Sequence, residues 1–150
     1  MQFSSLEDIL YFVIELEQKA FDFYTIQSRR MTIISLRKLM EEIAHEEFKH
    51  KLYFSKTLET IKEFNFSPIN DTISFEPLHL LTDIEINYNI ENVLRYAINT
   101  EKEAFEFYMK LASNLNEKKL KDLFISFALE ESRHQKGFQY ELDEYLKSQS

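Results

Sequence analysis

The residues able to do chemistry come in two copies of one pattern. Glu46-Glu47-Phe48-Lys49-His50 returns as Glu130-Glu131-Ser132-Arg133-His134, an offset of 84 positions (131 less 47). On a helix, Glu47 and His50 sit about one turn apart on one face, and so do Glu131 and His134. A carboxylate and an imidazole so placed can hold one metal ion. Two such pairs on facing helices can hold two ions if other helices add carboxylates. Glu17 and Glu101 stand at the same offset of 84 (101 less 17) and supply them. The candidate metal ligands are therefore Glu17, Glu47, His50, Glu101, Glu131 and His134. Four carboxylates balance two divalent cations. Oxygen and imidazole donors suit iron or manganese and leave positions open for dioxygen or peroxide. Without metal, clustered buried carboxylates repel one another, and some must take up protons. Any one of these Glu residues alone would read as a surface charge; two matched triplets in phase with apolar neighbours reverse that reading.

The positioning elements follow from the same repeat. Glu17-Gln18-Lys19-Ala20-Phe21-Asp22-Phe23-Tyr24 matches Glu101-Lys102-Glu103-Ala104-Phe105-Glu106-Phe107-Tyr108 without a gap. Leu10 pairs with Leu94, Ala44 with Ala128 and Phe54 with Phe138. One register held this long marks an internal duplication of a helical hairpin. Leu10, Val13, Glu17, Ala20 and Tyr24 share a stripe, so Glu17 faces the core. Tyr24 and Tyr108 lie two turns beyond Glu17 and Glu101 and could hydrogen-bond ligand carboxylates. Glu46 and Glu130 should point sideways, to water or another subunit. His45 reads as a surface residue, and Glu15, Asp22, Glu103 and Glu106 as solvated charges.

Ser5 and Asn89 are good helix caps in corresponding places. Helices are expected over about 5–30, 32–64, 89–113 and from 117 to about 145 or beyond. The stretch from Phe66 to Tyr88 holds both prolines, Pro68 and Pro77, and reads as a crossover along the bundle with a short extended piece or helical turn. The fold class is all-α: a four-helix bundle of two repeated hairpins (about 5–64 and about 89–148) joined by a long crossover (about 65–88), in a single domain spanning 1–150. Gly137, inside the fourth helix, could make room for a bulky neighbour.

Composition narrows the classes. One Gly and two Pro in 150 residues suit long helices and argue against a sheet protein. A net charge of −8 repels a phosphate backbone, so nucleic acid is not an expected partner. Without Cys the chain has no disulfide, thiolate zinc site or iron–sulfur cluster of its own. Met1 to Gln18 contains several acids and no basic residue, unlike a secretory leader, and no apolar run is long enough to cross a membrane. A soluble, cytoplasmic protein is expected. Phe3, Tyr11, Phe12 and Phe21, with Phe105 and Phe107, offer more apolar surface than one bundle interior needs, and a homodimer is the simplest use for it.

The two Glu-x-x-Ala-x-x-Phe-Tyr segments and the two Glu-Glu-x-x-His segments resemble the ferritin-like superfamily, and specifically the rubrerythrin-type di-iron domain. The resemblance covers nearly the whole chain outside the crossover. It implies that Glu17, Glu47, His50, Glu101, Glu131 and His134 ligate two iron ions, with Glu47 and Glu131 as bridges. It implies oxidation of Fe(II) by dioxygen or peroxide, often with peroxide reduced to water. Manganese or a mixed iron–manganese pair would use the same ligands, and zinc would occupy the site opportunistically. Two features depart from the family pattern. There is no Cys-rich rubredoxin domain in these 150 residues, so electrons must come from an external donor. Where rubrerythrins often carry an extra Glu, three residues beyond the third-helix ligand, this chain has Ala104. The expected activity is a peroxidase or ferroxidase; the alternatives are a non-catalytic iron-handling protein and a metal-stabilised sensor or interaction module.

Overall fold

The computed structural model describes residues 1–64, 72–75 and 89–150. Four helices carry almost all of it: α1 (Leu6–Arg30), α2 (Ile34–Phe64), α3 (Ile90–Ser113) and α4 (Lys118–Gln149). Two short strands, β1 (Gln2–Phe3) and β2 (Ile73–Ser74), pair antiparallel with Phe3 opposite Ile73. The expected extended piece in the crossover is β2. The rest of the crossover, with Pro68, Pro77 and His79, lies outside the described residues.

Helix starts are set locally. The Ser5 hydroxyl accepts from the Asp8 backbone N–H, and the Asn89 side chain does the same for Asn92, as expected from their matched positions. Glu117 caps α4 by accepting from the Leu120 N–H. Arg29 and Arg30 close α1, where cations meet the negative end of the helix dipole. The α2 helix begins two residues later than expected, because Met31 to Ile33 are used to turn the chain.

The helices α1 and α2 pack along their length, as do α3 and α4, forming two hairpins of a ferritin-like bundle. Cross-bonds fix how the hairpins face each other. Tyr24 reaches Glu101 while Tyr108 reaches Glu17, so α1 and α3 run antiparallel. Glu46 meets His134 while His50 meets Glu130, so α2 and α4 are antiparallel too. With each hairpin antiparallel, α2 and α3 must run in the same direction. The end of α2 and the start of α3 therefore lie at opposite ends of the bundle.

The core is two apolar plugs. One gathers Leu6, Leu10, Val13, Phe54, Phe107, Tyr108 and Phe124. The other gathers Phe23, Tyr24, Met40, Ile43, Leu94, Ala97 and Phe138. The aromatic residues behind the homodimer expectation are largely used inside the chain. Phe3 and Phe107 are buried, Phe12, Phe21 and Phe105 pack on the core, and Tyr11 stays half exposed. Phe3 and Phe75, brought in by the β1–β2 pair, cover Phe107. No helix among the described residues is long and apolar enough to cross a membrane.

Candidate metal centre

Between the two plugs lies a polar layer. Glu17 comes from α1, Glu47 and His50 from α2, Glu101 from α3, and Glu131 and His134 from α4. All six are buried, at 1–4 % exposure. Burying four carboxylates side by side is costly unless cations or protons balance them. The chain nonetheless presses them together, because each occupies an inward position of its helix.

The six form two overlapping groups of four. Glu17, Glu47, His50 and Glu131 can each offer a ligand atom with all such atoms within 4.8 Å of one another. Glu47, Glu101, Glu131 and His134 do the same. Glu47 and Glu131 belong to both. His50 Nδ1 lies 3.6 Å from Glu17 Oε1 and 3.4 Å from Glu131 Oε1. His134 Nδ1 lies 3.1 Å from Glu47 Oε1 and 3.6 Å from Glu101 Oε2. The two imidazoles are near-parallel, with ring centroids 6.5 Å apart.

One buried atom on each of the six has no hydrogen-bond partner: Glu17 Oε2, Glu47 Oε1, His50 Nδ1, Glu101 Oε2, Glu131 Oε1 and His134 Nδ1. Buried polar atoms are almost always paired. Among the described residues one further side-chain atom, Gln27 Oε1, shares this condition. Orphan atoms concentrated in one layer, all of metal-ligating type, fit a metal pair.

Electrostatics agree. Burial, then the charges of Glu17 and Glu101, hold the Glu47 carboxyl well above its ordinary pKa. Burial and the charges of Glu101 and Glu47 do the same to Glu131. Burial also opposes ionisation of Glu101, but the close approach of Glu131 and His134 brings its pKa below the ordinary value. Burial alone would lower the His134 pKa; contacts with Glu101 and Glu46 overcome it and raise it to about 10. His50 is raised likewise, against burial, by Glu130, Glu131 and Glu17. Metal-free, the layer thus holds protons that a divalent cation would displace.

The tyrosines stand where expected, and crosswise. Tyr24 donates to Glu101 Oε1 at 2.6 Å and Tyr108 to Glu17 Oε1 at 2.5 Å, each reaching the Glu of the other repeat. Burial and the facing carboxylates raise both phenol pKa values, so both remain donors. A cavity of about 10 Å³, room for one water-sized molecule, is lined by Leu16, Ala20, Thr100, Ala104 and four of the carboxylates.

A rubrerythrin family model matches residues 8–142. The chain belongs to the rubrerythrin family. No curated protein and no solved structure matches it. The family match spans both hairpins and all six buried acid and imidazole residues.

Glu46 and Glu130 point sideways and stay partly exposed, as expected, but each meets a histidine of this chain rather than water or another subunit alone. Glu46 bonds His134, and Glu130 bonds His50, across the α2–α4 seam. That each repeat keeps a Glu just before its inward Glu was the available signal. Arg133, which donates to Glu46 Oε2 at 2.6 Å, and buried Thr100 carried no such signal. The repeat has Lys49 and Leu16 in their places. His45, Glu15, Asp22 and Glu106 are exposed as expected, while Glu103 is half-buried.

Proposed function

We propose that this chain is a di-iron carboxylate oxidoreductase that reacts with hydrogen peroxide or dioxygen and oxidises Fe(II) or an external reductant. The observation that carries this reading is the set of six unpaired buried donor atoms in two groups sharing Glu47 and Glu131. Glu17 and His50 would hold one iron and Glu101 and His134 the other, with Glu47 and Glu131 between them. When bound, the iron pair supplies the two electrons that reduction of one hydrogen peroxide to two waters consumes, along with two protons. The chain's own groups bind and orient. The four carboxylates neutralise the cations, Tyr24 and Tyr108 fix two of them by hydrogen bonds, and the flanking apolar plugs keep bulk water out. Electrons must be replenished by a donor outside these 150 residues, which hold no Cys. Manganese, alone or with iron, suits the same donor set.

The test is metal content per chain, then Fe(II) and air added to the metal-free protein with the near-ultraviolet spectrum recorded. The expected result is two irons bound and a ferric absorption that bleaches under a reductant and returns with peroxide. A folded protein that takes up no metal would sink the proposal. One observation favours a second reading, a non-catalytic iron-handling protein. Ala104, buried beside the cavity, stands where many relatives carry a further carboxylate. That reading expects stoichiometric oxidation that stops after one round.

A further inference from the structure

Each Glu-Glu-x-x-His segment divides its two carboxylates between two tasks. Neighbouring helical residues project about 100° apart, so Glu46 and Glu47 cannot face the same way. Glu47 and Glu131 turn into the buried layer. Glu46 and Glu130 sit at the seam of α2 and α4, partly exposed. There Glu130 Oε2 meets His50 Nε2 at 2.7 Å, and Glu46 Oε2 meets His134 Nε2 at 2.5 Å. On both rings the other nitrogen, Nδ1, faces the carboxylates of the layer without a hydrogen bond. The arrangement is reciprocal: the segment that contributes an imidazole also holds the imidazole of the opposite segment.

An imidazole that ligates through Nδ1 is neutral and carries its proton on Nε2. A carboxylate accepting from that N–H fixes the tautomer and the ring's rotation and makes the ligating nitrogen more basic. The two halves are not equal. Arg133 donates to the same Glu46 oxygen that meets His134. Its counterpart in the repeat is Lys49, and among the described residues Glu130 has His50 as its one ionic partner.

We propose that Glu46 and Glu130 are positioning residues of the metal centre, each holding the opposite segment's imidazole with Nδ1 toward the metals, and that Arg133 makes the His134 half the more firmly held. This rests on the metal-centre reading above. Neither residue touches the reacting molecule; both act through a histidine.

The experiment is a Co(II) titration of the metal-free full chain, followed by visible absorption, with helical content checked by circular dichroism. Wild type is expected to bind two Co(II). Glu130→Ala should weaken one position by about 10–100-fold and leave the other, and Glu46→Ala should weaken the second by a similar factor. The Gln variants should recover part of the loss, because the amide oxygen still accepts from Nε2–H. Arg133→Ala should weaken one position only, less than Glu46→Ala does. Folded Ala variants that bind two Co(II) with wild-type affinity and band shape would overturn the brace and leave the metal centre standing. Folded wild type that binds no Co(II) would overturn both. If the Ala variants fail to fold, ¹⁵N NMR of the zinc-loaded wild type decides. Two rings protonated at Nε2 and metal-bound at Nδ1 support the proposal, and metal on Nε2 overturns it.

Discussion

At the scale of single residues, the buried layer is held by contacts that cross between the repeats. Tyr24 and Tyr108 each donate to a carboxylate of the other half. A hydrogen bond to a charged acceptor contributes about 1.5–3 kcal/mol. Tyr24→Phe and Tyr108→Phe are each expected to lower the stability of the metal-free protein by about that much in urea unfolding. A change under 0.5 kcal/mol, on the order of an ordinary surface substitution, would mean the hydroxyls are idle. Protonation gives a second expectation. The folded metal-free protein keeps a proton on His134 up to about pH 10, whereas the unfolded chain releases it near 6.5. That contribution to stability is complete below pH 6.5 and is lost as pH rises to about 10. His50, Glu47 and Glu131 are all raised and act in the same direction. The Tm of the metal-free protein should therefore fall between pH 6.5 and 10. Zinc, by displacing those protons, should remove most of the fall. A metal-free Tm that is flat or rises over this range would contradict the assigned protonation.

At the scale of elements, the helices are set by short-range signals, and Gly137 is the exception. It lies within α4, where Gly costs roughly 1 kcal/mol against Ala. The bulky neighbour expected there is Leu39. A Cβ on Gly137 would meet its two methyl carbons at 3.5 and 3.6 Å, ordinary contact distances. The glycine is not forced by packing. Gly137→Ala is expected to stabilise the protein by about 1 kcal/mol, read as a higher urea midpoint with an unchanged slope. Destabilisation would mean that α4 needs to flex at this point. Helix bounds were legible in the sequence to within one or two residues through Ser5, Asn89 and the arginines closing α1. The pairing of β1 with β2 was not, because two residues per strand carry no period to read.

At the scale of the whole molecule, the amino end is tied to the crossover. Phe3 packs against Phe12, Phe75 and Phe107 at ring-centroid distances of 5.3, 5.7 and 6.5 Å. These contacts join β1, α1, the crossover and α3. Phe3→Ala should cost about 3 kcal/mol, near the lower end for a buried Phe, because Phe3 lies at the edge of its plug. Its metal stoichiometry should be that of wild type, since the polar layer lies beyond that plug. Urea unfolding and a metal assay on the same sample check both statements. Loss of metal with full stability would instead tie the amino end to the centre itself.

The sequence by itself determined the duplication, the four helices and the six inward acid and imidazole residues. A constant offset and a helical period are properties of one dimension, and Glu17, Glu47, His50, Glu101, Glu131 and His134 inherit their facing from them. Only the tertiary structure decided which atoms meet across the bundle. Tyr24 to Glu101, Tyr108 to Glu17, Glu46 to His134 and Glu130 to His50 all join residues at least 77 positions apart. Those partners depend on the antiparallel register of α1 with α3 and of α2 with α4. That register is fixed by how the two plugs pack, and helical periodicity within one chain segment holds no information about it.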